Sequence, residues 1–195
     1  MTEMKRVLTA TSFAILMLCA CAPNITVYES PTSGRLSKIT FVNAADIQEA
    51  SLITFVDGNT CTAKRHIHFD DEAEIPAGNS RSITAAAGRE FALFARLATI
   101  EDEEYGVDIG MTGGGPAPAI RRTVIAIGCN ANLSFEVEPG NDYHVAISEP
   151  TSSQSCSVVV SKIDKQGELV EIESTQRIPR SSRDELGPYC EPLGE

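Results

Sequence analysis

Three side chains with metal-binding potential alternate along one stretch of the sequence: His66, His68 and Asp70. If this stretch is a β-strand, side chains two residues apart point to the same face, so all three share one surface. A metal site needs three or four ligands in a fixed geometry, and His144 could join if its strand lay alongside. The alternative is that the apolar residues between them face the core, while the two histidines and Asp70 face water.

Other chemistries find less support in the sequence. The acidic groups at 70–72 and 101–104 lack the alternating ligand spacing and the glycine of a calcium-binding loop. The sequence has no Gly-x-Ser-x-Gly segment of the hydrolase type. The glycines at 113–115 are not followed by the Lys-Ser or Lys-Thr of a phosphate loop. We therefore expect no enzyme and no cofactor.

The cysteines beyond residue 21 are even in number, which favours two disulfides in an oxidising compartment. They are Cys61, Cys129, Cys156 and Cys190, and no two have the spacing of a redox pair or a zinc knuckle. Three pairings are open. We favour Cys61–Cys129 within the sheets and Cys156–Cys190, because the proline-rich tail needs a covalent link to become ordered.

The first twenty residues have the layout of a secretory signal. Lys5 and Arg6 precede an uncharged apolar run from Val7 to Leu18. That run is too short for a membrane-spanning helix, which needs about 20 apolar residues. The stretch Leu18-Cys19-Ala20-Cys21 resembles the lipobox of bacterial lipoproteins.

The lipobox resemblance implies acylation of Cys21 and cleavage after Ala20. It also implies a lipid anchor in the cell envelope and a domain outside the cytoplasm. Ala22 follows the cysteine, where aspartate tends to favour inner-membrane retention in such lipoproteins. The resemblance therefore implies the outer membrane, with the domain facing the periplasm.

Charge limits the partners that we expect. Removal of residues 1–20 takes away Lys5, Arg6 and Glu3 and leaves 14 basic and 26 acidic residues. Such a surface disfavours nucleic acid, because phosphate contacts need lysine and arginine. It also disfavours attachment to anionic lipid headgroups by charge alone, so we expect attachment to the membrane through the acyl chains on Cys21.

Apolar residues recur with the period of a β-strand from Leu36 onward, and turn residues separate the short runs. This pattern predicts an all-β, antiparallel sandwich of about eight to ten short strands. We assign residues 1–20 to the signal peptide, 21–35 to a lipidated tether, 36–175 to the sandwich and 176–195 to an irregular tail.

Two hairpins and one long loop stand out within the sandwich. Asp57-Gly58 is a strong hairpin signal. Leu133–Ile147 reads as a second hairpin with Pro139-Gly140 at its turn. This turn and Ile75–Gly78 loosely resemble turns in small uncharacterised envelope lipoprotein domains of sandwich type. Residues 101–120 read as a loop without regular structure, and such loops are usually flexible or functional.

Two functional hypotheses follow. The first is a non-enzymatic envelope lipoprotein that binds or braces another envelope protein through a strand edge or the 101–120 segment. The second is a periplasmic ligand-binding or metal-binding module that uses the face of His66, His68 and Asp70.

Overall fold

A computed structural model describes residues 25–70, 72–106, 119–150, 155–180 and 187–191, with side chains except those of 100–106 and 119–127. In this part of the chain, no helix is long and apolar enough to cross a membrane. The strands, in chain order, are β1 Leu36–Asn43, β2 Glu49–Asp57, β3 Thr62–Ile67, β4 Glu74–Ile75, β5 Ser80–Ala86, β6 Arg89–Gly106, β7 Ala119–Val137, β8 Asp142–Ser148, β9 Ser157–Ile163, β10 Leu169–Glu171 and β11 Thr175–Gln176.

The strands form two sheets packed against each other, which confirms the predicted all-β sandwich. Sheet 1 has the order β10-β9-β8-β1-β5. Sheet 2 has the order β11-β7-β6-β2-β3, and β4 also pairs with β2. Residues 93–98 of β6 pair with both β2 and β7, so β6 is a central strand of sheet 2.

Strict alternation of side chains gives each sheet one core face. In β1, Ile39 and Phe41 are fully buried, whereas Lys38 between Ser37 and Ile39 is exposed. Aromatic rings then join the two sheets across the core. The Phe135 ring in β7 lies 5.6 Å from the Tyr143 ring in β8, measured between centroids. Aromatic contacts of this kind add to the free energy gained from burial.

One pair of neighbouring strands departs from the antiparallel arrangement that we predicted. β1 and β8 are parallel, with Ile39 opposite Tyr143 and Phe41 opposite Val145. Every other ladder between the named strands is antiparallel. Alternation of apolar residues looks the same in either direction along a strand. The sequence pattern therefore carried no information about this pairing.

The prediction of a hairpin at Leu133–Ile147 was wrong, although its turn is present. Both arms are strands, but β7 belongs to sheet 2 and β8 to sheet 1, so the turn crosses between the sheets. Gly140 has a backbone φ angle of 76°, which residues other than glycine rarely adopt. The Tyr143 hydroxyl accepts a 2.8 Å hydrogen bond from the Glu138 backbone N–H and so fixes the crossing.

The hairpin predicted at Asp57-Gly58 is confirmed, since β2 and β3 are antiparallel neighbours. Its loop covers residues 58–61 instead of two central residues. The Asp57 carboxylate accepts bonds from the Asn59 N–H at 2.9 Å and the Thr60 hydroxyl at 2.7 Å. These bonds hold the pKa of Asp57 below its usual value, with the Thr60 bond the largest cause.

Residues 25–30, which we had assigned to the lipidated tether, are bound to the sandwich. Val27 forms a parallel β-bridge with His66. The Tyr28 N–H donates to the His66 carbonyl at 2.7 Å, and the His66 N–H donates to the Thr26 carbonyl at 2.9 Å. The Tyr28 hydroxyl donates a 2.8 Å bond to the Thr84 carbonyl in sheet 1. This segment therefore extends sheet 2 and ties its edge to the other sheet. Residues 21–24 of the predicted tether lie outside the described residues.

Candidate interaction surfaces

The predicted metal-binding face contains only part of its expected ligand set. His66 in β3 and His68 lie near each other, with ring centroids 6.5 Å apart. The residues between and after them, Ile67 and Phe69, are buried in the core. Asp70 follows the strand and has a φ of 56°, so the extended alternation ends there. This arrangement matches the alternative that we kept open, in which Ile67 and Phe69 pack into the core and the two histidines lie on the opposite face of the strand.

No third ligand joins the two histidines among the residues that the structure describes. His144 pairs with Thr40 and Ser161 in sheet 1, so its strand does not lie beside that of His66, and the condition under which it could join the site is not met. Burial lowers the pKa of His66, and the nearby Lys64 and His68 lower it further. A metal at this place would therefore meet two imidazoles, without the fixed set of three or four ligands that a metal site needs.

The cysteines form two disulfides, but the pairing that we favoured was wrong. The bonds are Cys61–Cys190 and Cys129–Cys156, with Cα–Cα distances of 5.4 Å and 5.0 Å. Cys129 sits in β7 of sheet 2 and Cys156 directly before β9 of sheet 1, so one bond joins the sheets. The other joins the β2–β3 loop to the C-terminal segment. The tail does carry the covalent link that we expected, with a different partner.

Arg177 fixes this C-terminal segment, and no sequence signal marked it. The residue is only 5% exposed. Its guanidinium donates to the carbonyls of Gly58 at 3.2 Å, Glu191 at 2.7 Å and Asn59, and to the Cys190 sulfur at 2.9 Å. Burial lowers its pKa, an effect that the nearby Glu90 and Asp57 oppose. A proline-rich tail of low apolar content is thus held by one buried cation together with the Cys61–Cys190 disulfide.

The most prominent feature of the molecule is a two-stranded arm, defined as residues 99–106 of β6 and 119–127 of β7. The two strands pair from Thr99–Ala126 to Gly106–Ala119. β2 stops pairing at Glu49–Ala98, so within the described chain the arm strands pair only with each other. Eight residues in extended conformation project about 26 Å beyond the sheet.

The arm corrects our prediction of an irregular loop at 101–120. Residues 101–106 and 119–120 are strand, and 107–118 lie outside the described residues. The register sets Glu103 opposite Arg122 and Glu104 opposite Arg121. The cross-strand partners of Glu103 and Glu104 lie 19 and 17 residues further along the chain, so the acidic run by itself gave no sign of the pairing.

A β-bulge, a close packing contact and a disulfide lie together at the base of the arm. The register shifts between Leu97 and Ala98, which leaves Gly128 as the extra residue of a β-bulge. The Gln48 amide lies directly over Gly128, in space that a Cβ atom would fill. The next residue, Cys129, carries the disulfide that joins the sheets. A bend followed at once by a covalent link fixes the direction in which the arm leaves the sandwich.

A pair of carboxyl groups lies on the outer face of sheet 2 near the arm. Glu74 shares a hydrogen bond with Glu49, which raises the pKa of Glu74, and burial raises it further. Arg96 lies close enough to oppose this effect, and its Nε atom is buried without a hydrogen-bond partner. The raised pKa of Glu74 makes this corner of sheet 2 sensitive to pH.

A groove of about 580 Å³ opens at the opposite end of sheet 2. It is lined by Ile25, Thr26, Val27, Tyr28, Glu29, Phe55, Val56, Arg65 and Arg89.

Comparison of the chain with protein-family models, with curated proteins and with solved structures finds no match. The arm and the groove are therefore interpreted from their own geometry.

Proposed function

We propose that this chain is a lipid-anchored cell-envelope protein that acts without catalysis, as a protein-interaction or structural module. Acylated Cys21 would hold it at the membrane, with the domain in the periplasm and the outer membrane as its site. The support for the anchor is the sequence Leu18-Cys19-Ala20-Cys21 behind a charged and then apolar segment. The two disulfides agree with an oxidising compartment.

The single observation that supports the interaction role is the arm. Isolated two-stranded hairpins are only marginally stable in water. Unpaired strand edges also present backbone N–H and C=O groups to any extended segment that approaches. Within the described chain, both outer edges of the arm are unpaired. A partner strand added to either edge would complete these hydrogen bonds.

All four cysteines of the sandwich, Cys61, Cys129, Cys156 and Cys190, are held in disulfides, so none of them offers a thiolate nucleophile. The support for the interaction role therefore comes from the arm.

Photo-crosslinking in intact cells tests the interaction role. A photoreactive residue is placed at Thr99 or at Ala126, which pair with each other across the arm. A control variant carries the photoreactive residue at Ser82, an exposed position of β5 in sheet 1. We expect the same heavier adduct from both arm positions and none from Ser82. Mass spectrometry of the adduct identifies the partner. Recovery of monomer alone from both arm positions would overturn the interaction role.

A further inference from the structure

The groove at the far end of sheet 2 combines exposed aliphatic side chains with two cations. Ile25, Val27 and Val56 are 60%, 38% and 49% exposed. Arg65 and Arg89 line the same groove, against one carboxylate, Glu29. The groove is therefore locally cationic on a chain whose formal net charge is −11. Arginine guanidinium groups match phosphate oxygens in geometry and charge.

The path of the chain brings this groove close to the proposed anchor. Residues 25–28 run parallel to β3, so the chain approaches from the end where β3 begins, beside the β2–β3 loop. Ile25, which lines the groove, is four residues from Cys21. Four residues span at most about 14 Å when fully extended. An acylated Cys21 would therefore hold Ile25, which lines the groove, within that distance of the headgroup layer.

We propose that this groove lies against the bilayer, with Arg65 and Arg89 paired to phosphates of anionic phospholipids and Ile25, Val27 and Val56 at the apolar boundary. The inference rests on the proposed lipid anchor and adds an orientation to it. The acyl chains attach the protein, and the groove determines which surface faces the membrane. The acidic remainder of the molecule then turns away from the anionic headgroups.

The size of the effect follows from membrane electrostatics. Each arginine near an anionic surface shifts the orientation equilibrium roughly fivefold toward the groove-down state. The two arginines act in the same groove, so their effects multiply. Glu29 opposes part of this gain. Because the acyl chains hold the protein at the surface, even this modest preference sets the average orientation.

The absence of tryptophan from the chain makes a sharp experiment possible. Val56→Trp places a single fluorophore in the groove, and Val159→Trp places one on exposed β9 of sheet 1 as the matched control. Each acylated protein is reconstituted in phosphatidylcholine vesicles with or without phosphatidylglycerol. Brominated phospholipids then quench any tryptophan that reaches the acyl-chain boundary.

We expect blue-shifted, strongly quenched emission from Val56→Trp in vesicles with phosphatidylglycerol, and little quenching of Val159→Trp. Adding Arg65→Gln and Arg89→Gln should lower the groove-down population roughly fivefold for each arginine. Arg65→Lys with Arg89→Lys keeps the charge and should restore most of the quenching, which excludes a folding defect.

Equal quenching at both positions, or quenching at Val56→Trp that does not respond to the arginines, would overturn the orientation. The anchor is judged separately in the same samples. If the protein carries lipid and sediments with vesicles while Val56→Trp stays unquenched, only this inference fails. If the protein carries no lipid, the proposed function itself fails.

Discussion

Arg177 shows how a single residue can order a segment that its own composition leaves unstructured. Its guanidinium spans the β2–β3 loop and the C-terminal segment, and donates to three backbone carbonyls and one disulfide sulfur. Arginine has five donors in a rigid fork, which suits such a multidentate contact. These acceptors come together only after folding, so the sequence around Arg177 gave no sign of its role.

Replacement of this residue tests its importance. Arg177→Met should lower the free energy of unfolding by about 3 kcal/mol, because several buried carbonyls lose their donor. Arg180→Met is the control, since its ion pair with Glu191 is half-exposed and contributes less than about 1 kcal/mol. Urea unfolding under oxidising conditions measures both. Equal losses in the two variants would contradict the role given to Arg177.

The Glu49–Glu74 pair gives a pH dependence with a definite sign. The folded protein holds the pKa of Glu74 above its usual value through the hydrogen bond with Glu49 and through burial. The folded state thus binds the proton more tightly than the unfolded chain does. This contribution is complete below the unfolded glutamate pKa of about 4.3 and is lost as the pH rises through the raised pKa.

Glu74→Gln keeps a hydrogen-bond donor and removes the charge, so it should flatten this part of the profile. At neutral pH the variant should be more stable than the wild type by on the order of 0.5 kcal/mol, the size of a cross-strand charge interaction. Glu171→Gln on exposed β10 serves as the control. Thermal unfolding across the acid range measures the effect, and parallel profiles for Glu74→Gln and wild type would refute it.

At the scale of strands, the sequence predicted the elements better than their partners. Alternation located β1 and β8, and Pro-Gly or Asp-Gly pairs located the turns between strands. Neither signal says which sheet receives the next strand, so the turn at Pro139-Gly140 looked like a hairpin when it crosses the sandwich. Sheet membership depends on packing between residues far apart in the chain.

The same limit explains the disulfides and the arm. Four cysteines predicted two bonds, but their pairing depends on which strands neighbour one another. The arm strands contain charged runs, and charged runs resemble loops until cross-strand partners such as Glu103 and Arg122 are brought into register. Alternation allowed either a metal site at His66, His68 and Asp70 or a core face at Ile67 and Phe69, and Ile67 and Phe69 are indeed buried. It could not supply a third ligand.

The two disulfides should differ in their effect on stability. They close segments of 129 and 27 residues. In the chain-entropy treatment, removal of Cys61–Cys190 costs about 5 kcal/mol and removal of Cys129–Cys156 about 3.5 kcal/mol. Paired Cys→Ala variants and chemical unfolding measure both losses. The pairing itself is checked by mass spectrometry of unreduced peptides, and a Cys61–Cys129 peptide would contradict the structure.

Removal of the arm should separate stability from interaction. In the described chain its strands pair only with each other beyond Ala98. A variant with 100–126 replaced by a short Asn-Gly turn should therefore keep its unfolding midpoint within a few degrees, since the core of both sheets is retained. It should lose the crosslinked adduct in cells. A collapse of the unfolding midpoint would show that the arm is part of the core.

At the scale of the whole molecule, the groove and the arm lie at opposite ends of β6. Arg89 begins the strand beside the groove, and Gly106 is the last described residue of its arm. Seventeen steps of about 3.3 Å give a span of up to about 56 Å. A lipid anchor at the groove end would direct the arm away from the membrane, toward partners in the periplasm.

The lipid on Cys21 is the central claim, and metabolic labelling with a palmitate analogue tests it most directly. The wild-type chain and Cys19→Ser should be labelled and recovered with the membrane fraction. Cys21→Ser should be unlabelled. Intact mass of the labelled product should correspond to a chain that begins at Cys21 and carries acyl groups. An unlabelled wild-type protein, or label retained by Cys21→Ser, would contradict the account.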